Sequence, residues 1–390
     1  MQTIAVIFGG RSAEHDISIV TAISSIIKPL QVIGQYNIEA VYIAKNGAWF
    51  WGDKFKDISL FAGGDIENFI DKSQPCSVQF DGGLRLTKPG AGITGRKVSR
   101  KIDIVFPAMH GTYGEDGSLA GLLEMAGVPY VGCGLDASVL AMDKVLAKQV
   151  AASNGIPIAK YQQVNRDTFT KNPDHVIGDL EESLIYPMFV KPTHLGSSIG
   201  ITRAANREEL QNGLEVAVHY DDKVVVEEEV ANLIEVTLPI MGNHELTPAL
   251  LERPLSSADD FFNFETKYMQ GGKKGGAKKG GSKGSQGYSE IPAKLPKSLY
   301  EKAEQTAIET YRALGCSGTA RVDLLIDSNT EEVYFNEVNP LPGSLYAHNW
   351  RASGVSSVEL VQSLVRLAIE RHEEKKAINT AFATNFLKQF

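Results

Sequence analysis

Runs suited to buried β-strands alternate with runs spaced for helices, and this alternation limits the fold more than any single motif does. TIAVIF (residues 3–8) is a short apolar strand followed by a Gly-Gly turn. DISIVTAISSII (16–27) comes next, with Ile19, Ile23 and Ile26 at helical spacing. IEAVYIA (38–44) and DIVFPAM (103–109) are further strands. SLAGLLEMAG (118–127) and DASVLAMDKVLAKQVAASNG (136–155) read as helices, ended by Gly127 and Gly155. The pattern points to the α/β class, with residues 1–140 as an open parallel-sheet domain.

After Pro157 the texture changes. YPMFVKP (186–192) and DKVVVEEEV (222–230) are strands around a helical stretch, NREELQNGLEVAVHY (206–220), which makes a small α+β unit within a central domain at 141–230. A third domain, 231–376, carries long strands at 319–327 and 332–338 and a helix over 297–314. It ends in the amphipathic helix SSVELVQSLVRLAIERHEEKK (356–376). The tail 377–390 has no clear period and is unassigned. Several cores suit 390 residues, because a single core seldom grows past about 250.

One segment breaks this order. GGKKGGAKKGGSKGSQGY (271–288) holds eight glycines and five lysines, and it has almost nothing to bury against the entropy of ordering it. Without those lysines, 34 basic side chains face 47 acidic ones, a net −13. A body that acidic argues against nucleic-acid binding, so a local basic loop suits a small anionic ligand or none. Cys76, Cys133 and Cys316 are far apart and odd in number, which fits a reducing compartment and excludes a thiolate zinc site. The opening MQTIAVIFGG is too short for a signal core, and no window is expected to reach membrane-spanning length. The expectation is a cytoplasmic protein without a membrane partner.

The densest chemistry lies at 319–343, TARVDLLID followed by VYFNEVNPLPG. Residues two apart on a strand share a face, so Arg321 lies beside Asp323 and Glu337 beside Asn339. If the strands pair, three hard oxygen ligands and a guanidinium converge, as magnesium with bound phosphates requires. For any one of them a solvated ion pair is the simpler reading; four together favour a metal–phosphate site. FVKPTHLGSSIG (189–200) ends a strand at Lys191 and continues as a Gly/Ser loop whose amides can turn toward phosphate oxygens. Taken alone it could be a plain turn. VVVEEEV (224–230) ends a strand at a point where backbone groups could meet a purine and Glu235 a ribose, although a charged strand end facing water explains it equally. His110 follows a parallel strand at its carboxyl end, where α/β proteins bind ligands, with Glu115 and Asp116 in the loop beyond.

These elements resemble the ATP-grasp carboxylate–amine ligases, specifically the D-alanine–D-alanine ligases. The likeness runs in order through FGGRSAEHDIS (8–18), HGTYGEDGSLAGLLE (110–124), MDK (142–144), VKPTHLGSSIG (190–200), TKY (266–268), IPA (291–293), RVD (321–323) and NEVNPLPG (336–343). It implies a three-domain ATP-grasp fold, with ATP held between the central and C-terminal domains. It also implies that Lys144 and Lys191 meet the ATP phosphates under a loop that includes Ser198. Glu235 would meet the ribose, and the adenine would lie near Glu228 and Val230. Asp323, Glu337 and Asn339 would hold two magnesium ions, with manganese as a substitute. Glu14, Ser197 and Tyr268 would form a hydrogen-bonded trio at the first D-alanine, and Arg321 with the Gly343 amide an oxyanion hole. His110, Ser344 and His348 would line the substrate sites.

The resemblance further implies a homodimer that joins two D-alanines through an acyl phosphate, for peptidoglycan synthesis. Lys267–Tyr268 and Pro292–Ala293 would bracket a lid (261–293) that excludes water. The glycine–lysine tract makes this span longer than the family's. After NPLPG the family carries a threonine and a serine where this chain has Leu345 and His348, which leaves the second substrate open. The alternative is a related ligase that joins D-alanine to another amino or hydroxy acid. A non-catalytic binder of an anionic polymer is disfavoured, because a binder has no need of Lys191, Asp323, Glu337 and Asn339 together.

Overall fold

The computed structural model describes residues 1–90, 95–255, 289–378 and 386–390. Its first sheet is built on Gln2–Gly9, a strand buried from Thr3 onward. Tyr36–Ile43 and Ile104–Pro107 pair with it in parallel, and Trp49–Trp51 adds an antiparallel edge. The expected parallel sheet is therefore present, with one strand reversed. A second, three-stranded antiparallel sheet formed by Ser77–Phe80, Leu84–Lys88 and Val98–Ile102 has no counterpart in the sequence reading. It packs Leu84, Leu86 and Ile102 against Ile7 and Val41 of the first sheet. The edge strand Val98–Ile102 is exposed and charged over most of its length, which hides it from an apolar pattern.

The helical run after the first strand is longer than expected and is not uniform. It is α-helical over His15–Val20, π-helical over Thr21–Ile27 and α-helical again over Lys28–Ile33. At 19 residues and mean hydropathy 1.4 it does reach membrane-spanning length and apolarity, contrary to the sequence expectation. Here it is a core helix: Ile19, Ile23, Ile26, Ile27 and Leu30 are buried with Trp350 and Leu364. The stretch 136–155, read as one helix, is two. Leu135–Met142 stops at Asp143, whose extended backbone lets its carboxylate cap Lys144–Ser153.

The central sheet orders Thr202–Ala204, Met188–Pro192, Lys223–Glu228 and Tyr161–Asn165, all antiparallel. The C-terminal sheet orders Thr247–Pro248, Leu233–Met241, Thr319–Asp327 and Glu332–Asn339, also antiparallel. Its underside packs on Lys297–Ala313 and on Lys144–Ser153, burying Val322, Leu324 and Ala147 together. The final long helix, Ser357–Lys376, opens with a capping box between Ser356 and Glu359 and joins the core of the first domain. Its Arg371 donates to the carbonyls of Tyr130 (2.9 Å) and Gly132 and to Ser317 Oγ (2.7 Å), tying N- and C-terminal regions together.

The turn after the first strand is fixed by two features. Gly9 has φ +90° and packs so tightly that a Cβ would stand 2.2 Å from the Ile43 carbonyl. Its amide donates to the fully buried Ser18 Oγ at 2.7 Å. Ser18→Ala strands that amide in the interior and should cost about 1–3 kcal/mol, read as a lowered melting temperature of the full chain. An unchanged melting temperature would show that the amide finds another acceptor.

Candidate active site

Pairing within the C-terminal sheet brings the densest motif together as the strand period requires. Asp323 stands opposite Glu337 and Arg321 opposite Asn339, while Ala320, Val322, Leu324 and Ile326 fill the core beneath. Arg321 forks onto Asp323, with Nε to Oδ1 at 2.7 Å and Nη2 to Oδ2 at 2.5 Å. Thr237 Oγ1 donates to Asp323 Oδ1 at 2.5 Å and Asn339 Nδ2 to Oδ2 at 3.1 Å. Burial alone would favour neutral Arg321; the charge of Asp323 overrides it and holds the guanidinium ionised. Glu235 lies two residues from Thr237 on its strand, hence on the same face.

Facing this patch are the two lysines of the sequence reading. Lys144, in the first turn of its helix, donates to the Leu195 carbonyl at 2.7 Å and lies 3.7 Å from Glu337. Lys191 donates to Glu227 at 2.9 Å and to Asn336 Oδ1 at 3.4 Å. Glu227 is also 3.3 Å from Lys148, whose side chain is fully buried. Burial pushes the Glu227 carboxyl upward, but the two ammonium groups overcome it and pull the value down to about 2. Lys148 is lowered, first by burial and only partly relieved by Glu227. Three charges thus share a dry pocket with a surplus positive charge. Glu227, read from the sequence only as one of three charged residues at a strand end, points into the cleft because Val224 and Val226 take the other face of its strand; Lys148, which gave no signal, shares a helix face with Lys144 four residues before it.

Glu228 behaves differently. Its carboxylate takes the Ile185 amide (3.2 Å) and lies 3.4 Å from Lys160, its own amide donates to the Lys160 carbonyl at 2.9 Å, and Val230 follows just beyond the strand.

The loop after Lys191 has left-handed backbone at Ser197 (φ 55°) and Ser198 (φ 59°), strained for non-glycine residues. Ser197 Oγ donates to Glu14, bringing two of the expected trio together across 183 residues. Burial and the nearby Glu115 hold the Glu14 carboxyl above its ordinary range. His110 is buried, with Nε2 2.8 Å from Thr21 Oγ1 and Nδ1 3.4 Å from Glu115. Burial works against its charge, yet Glu115 and Glu14 raise it overall. Thr21 also accepts the Ser344 amide at 2.9 Å, so the first residue of the π-helical segment links His110 to the turn after Gly343. Lys267, Tyr268 and the glycine–lysine tract lie outside the described residues.

That turn differs from the expectation for His348. Ser344, Leu345 and Tyr346 are all left-handed, with φ of 51°, 53° and 51°. The Tyr346 ring lies against the Arg321 guanidinium at 5.1 Å and Leu345 is buried. His348 Nε2 sits 3.0 Å from Glu252 Oε2, which Asn349 Nδ2 also reaches at 3.0 Å. Glu252, in PALLERP beside Arg253, gave no sequence signal.

One lysine on an antiparallel sheet and one at a helix start, facing carboxylates on the next sheet, make the arrangement expected of an ATP-grasp ligase. Comparison with known proteins carries this further. Residues 3–133 match the family described as D-ala D-ala ligase N-terminus and residues 150–366 the one described as D-ala D-ala ligase C-terminus. D-alanine–D-alanine ligases of Acetivibrio thermocellus and Heliobacterium modesticaldum are 34% and 36% identical over 95% and 96% of this chain, and over 96% of each relative. The D-alanine–D-alanine ligase structure from Coxiella burnetii superposes with TM-score 0.76 at 27% identity, covering 96% of both chains. The VanG D-Ala:D-Ser ligase from Enterococcus faecalis gives 0.74 at 30% identity, covering 94% of this chain and 99% of its own. The chain belongs to the D-alanine–D-alanine ligase family, whose members are ATP-dependent ligases.

Glu227→Gln should leave Lys148 and Lys191 sharing a pocket without a counter-charge, destabilising the chain by about 3–5 kcal/mol. The exposed-side change Glu228→Gln should cost under about 1 kcal/mol. The Glu227 contribution is complete above its ordinary value of 4.5 and is lost as pH falls toward about 2, because the folded value is the lower one. Equal melting temperatures for the two variants at pH 7 would contradict the pairing.

Proposed function

We propose that the enzyme joins two D-alanines through a D-alanyl phosphate, spending one ATP and releasing ADP and phosphate. The observation that carries this reading is the facing of Lys144 and Lys191 against Asp323 and Glu337 across one cleft. A carboxylate is a poor electrophile, and transfer of the γ-phosphoryl group turns it into a good one. Lys144 and Lys191 bind the phosphates by charge, and the amides of the Gly196–Gly200 loop, held turned by its left-handed serines, complete the grip. Glu14 and His110, both buried, orient the first D-alanine. Arg321, with the Gly343 amide, stabilises the oxyanion formed when the second amine attacks.

Asp323, Glu337 and Asn339 offer only oxygen donors of the kind magnesium takes, on neighbouring strands of one face, and they fit two such ions. When bound, magnesium neutralises charge on the phosphates; manganese, with the same ligand preference, would substitute. The three free buried cysteines and the ATP requirement favour a cytoplasmic enzyme acting in peptidoglycan synthesis, and a homodimer is carried over from the family resemblance alone. A second reading keeps the first D-alanine and changes the acceptor. The left-handed turn at Ser344–Tyr346, the engaged His348 and the likeness to a D-Ala:D-Ser ligase favour testing it.

With ATP and D-alanine alone, phosphate and dipeptide should appear one for one, and D-serine or D-lactate should compete poorly. Preferred consumption of either competitor would establish the second reading instead. Glu337→Gln should keep the fold and lose nearly all turnover at saturating magnesium. Arg321→Ala should keep ATP binding and lose the joining step by roughly 10²–10³. A variant that loses only ATP affinity would make Arg321 a phosphate ligand.

A further inference from the structure

The loop that covers the phosphates leaves its strand at His194, a residue to which no role has yet been given. Its backbone amide donates to Asp221 Oδ2 at 2.6 Å, and its Nδ1 lies 3.0 Å from Asp221 Oδ1. On the other side Nε2 is 3.3 Å from Asp143 Oδ2. Asp143 is the cap of the helix that carries Lys144, its Oδ1 accepting the amides of Val145 and Leu146 at 3.0 Å each. Lys223 closes the arrangement by pairing with Asp143, while its backbone amide donates to Asp221 at 3.2 Å. Exposed Asp222 is the remaining acid, with its carboxylate within 4.8 Å of the His194 and Asp221 ligand atoms. The order is Asp221, His194, Asp143, Lys223, alternating in sign.

We propose that His194 is a positioning residue for ATP, pinning the entrance of the phosphate loop to the capped end of the Lys144 helix so that loop and lysine act as one rigid unit. The proposal rests on the reading of Lys144 and the Gly196–Gly200 loop as phosphate-binding elements. The contacts on either side of the histidine are those of a clasp. Lys144 Nζ donates to the Leu195 carbonyl at 2.7 Å, and the Thr193 amide donates to the Lys223 carbonyl at 3.1 Å. Strained backbone at Ser197 and Ser198 does not hold its shape unaided, so an anchor at the loop entrance preserves the turned amides.

The clasp needs a charged ring. A neutral imidazole has one N–H donor, and its bare nitrogen would face a carboxylate; the imidazolium donates to both. Hydrogen bonds to Asp143 and then Asp221 raise His194 to about 9, against a smaller effect of burial. The folded value is above the unfolded one, so the clasp is complete at neutral pH and opens as pH rises through about 9.

Steady-state kinetics of the full chain at a series of pH values test this. At neutral pH His194→Gln should raise the Michaelis constant for ATP by roughly 10–100-fold, the scale of a displaced binding group, with that for D-alanine little changed. Wild type should lose ATP affinity above about pH 9, His194→Gln should show no such loss, and His194→Arg should hold its affinity beyond it. Asp221→Asn, which keeps the ring and removes its anchor, should reproduce the ATP-selective defect. An unchanged Michaelis constant for ATP in His194→Gln, or equal losses for ATP and D-alanine, would overturn the proposal, as would an alkaline limb that persists in His194→Gln. Wild-type turnover with ATP and D-alanine tests the underlying reading separately. If it fails, calorimetric binding of magnesium–ATP to wild type and His194→Gln still decides the role of His194: equal affinities overturn it and an ATP-selective weakening supports it.

Discussion

The strand Thr319–Asp327 runs between two antiparallel neighbours, and its alternate side chains must go to opposite faces. Ala320, Val322, Leu324 and Ile326 go down into the largest C-terminal core, so Arg321 and Asp323 have only the upper face. Shifting the register by one residue would bury the guanidinium and the carboxylate and expose four apolar side chains. Apolar burial on one side thereby fixes charged geometry on the other. The same logic places Lys191 and Glu227 inside the central sheet, on antiparallel strands whose remaining side chains are mostly valine, phenylalanine and methionine.

Each cation in the site is held by a protein carboxylate or carbonyl. Arg321 leans on Asp323, Lys144 on Leu195 and Glu337, and Lys191 and Lys148 on Glu227. The dipoles and charges are therefore oriented before any substrate arrives, which is how a site lowers the reorganisation cost of phosphoryl transfer. The surplus positive charge around Glu227 is a standing attraction for a phosphate. His194, between Asp143 and Asp221, extends this scheme to the loop, where charge does the work that apolar packing does beneath the sheets.

Much of this was legible in the sequence because period-2 alternation survives in long, one-sided strands. TARVDLLID and VYFNEVN named their own inward and outward residues, and the ordered motifs named the family. Three kinds of feature were not legible. The sheet at 77–102 is short and polar, and its apolar burial comes from Leu84, Leu86 and Ile102 with Val78 packed against them. Lys148, Glu227, Glu252 and His194 acquire their partners from residues 27 to 97 positions away, which spacing does not record. The run 16–33 showed its helical period, but neither its π-helical middle nor its length to Ile33 could be read from the spacing of Ile19, Ile23 and Ile26. Position alone likewise did not show that His348 pairs with Glu252.

The central claim is that cationic and anionic halves of one cleft are completed together by nucleotide and metal. It is tested most directly by thermal melting of the full chain with ATP alone, magnesium alone and both. A ligand that binds only the folded state stabilises it in proportion to the logarithm of its concentration over its dissociation constant. Because Asp323 and Glu337 repel bare phosphates while Lys144 and Lys191 attract them, the account predicts a rise with both that clearly exceeds the sum of the two separate rises. A strictly additive response, or a full rise with ATP in the presence of a chelator, would contradict it.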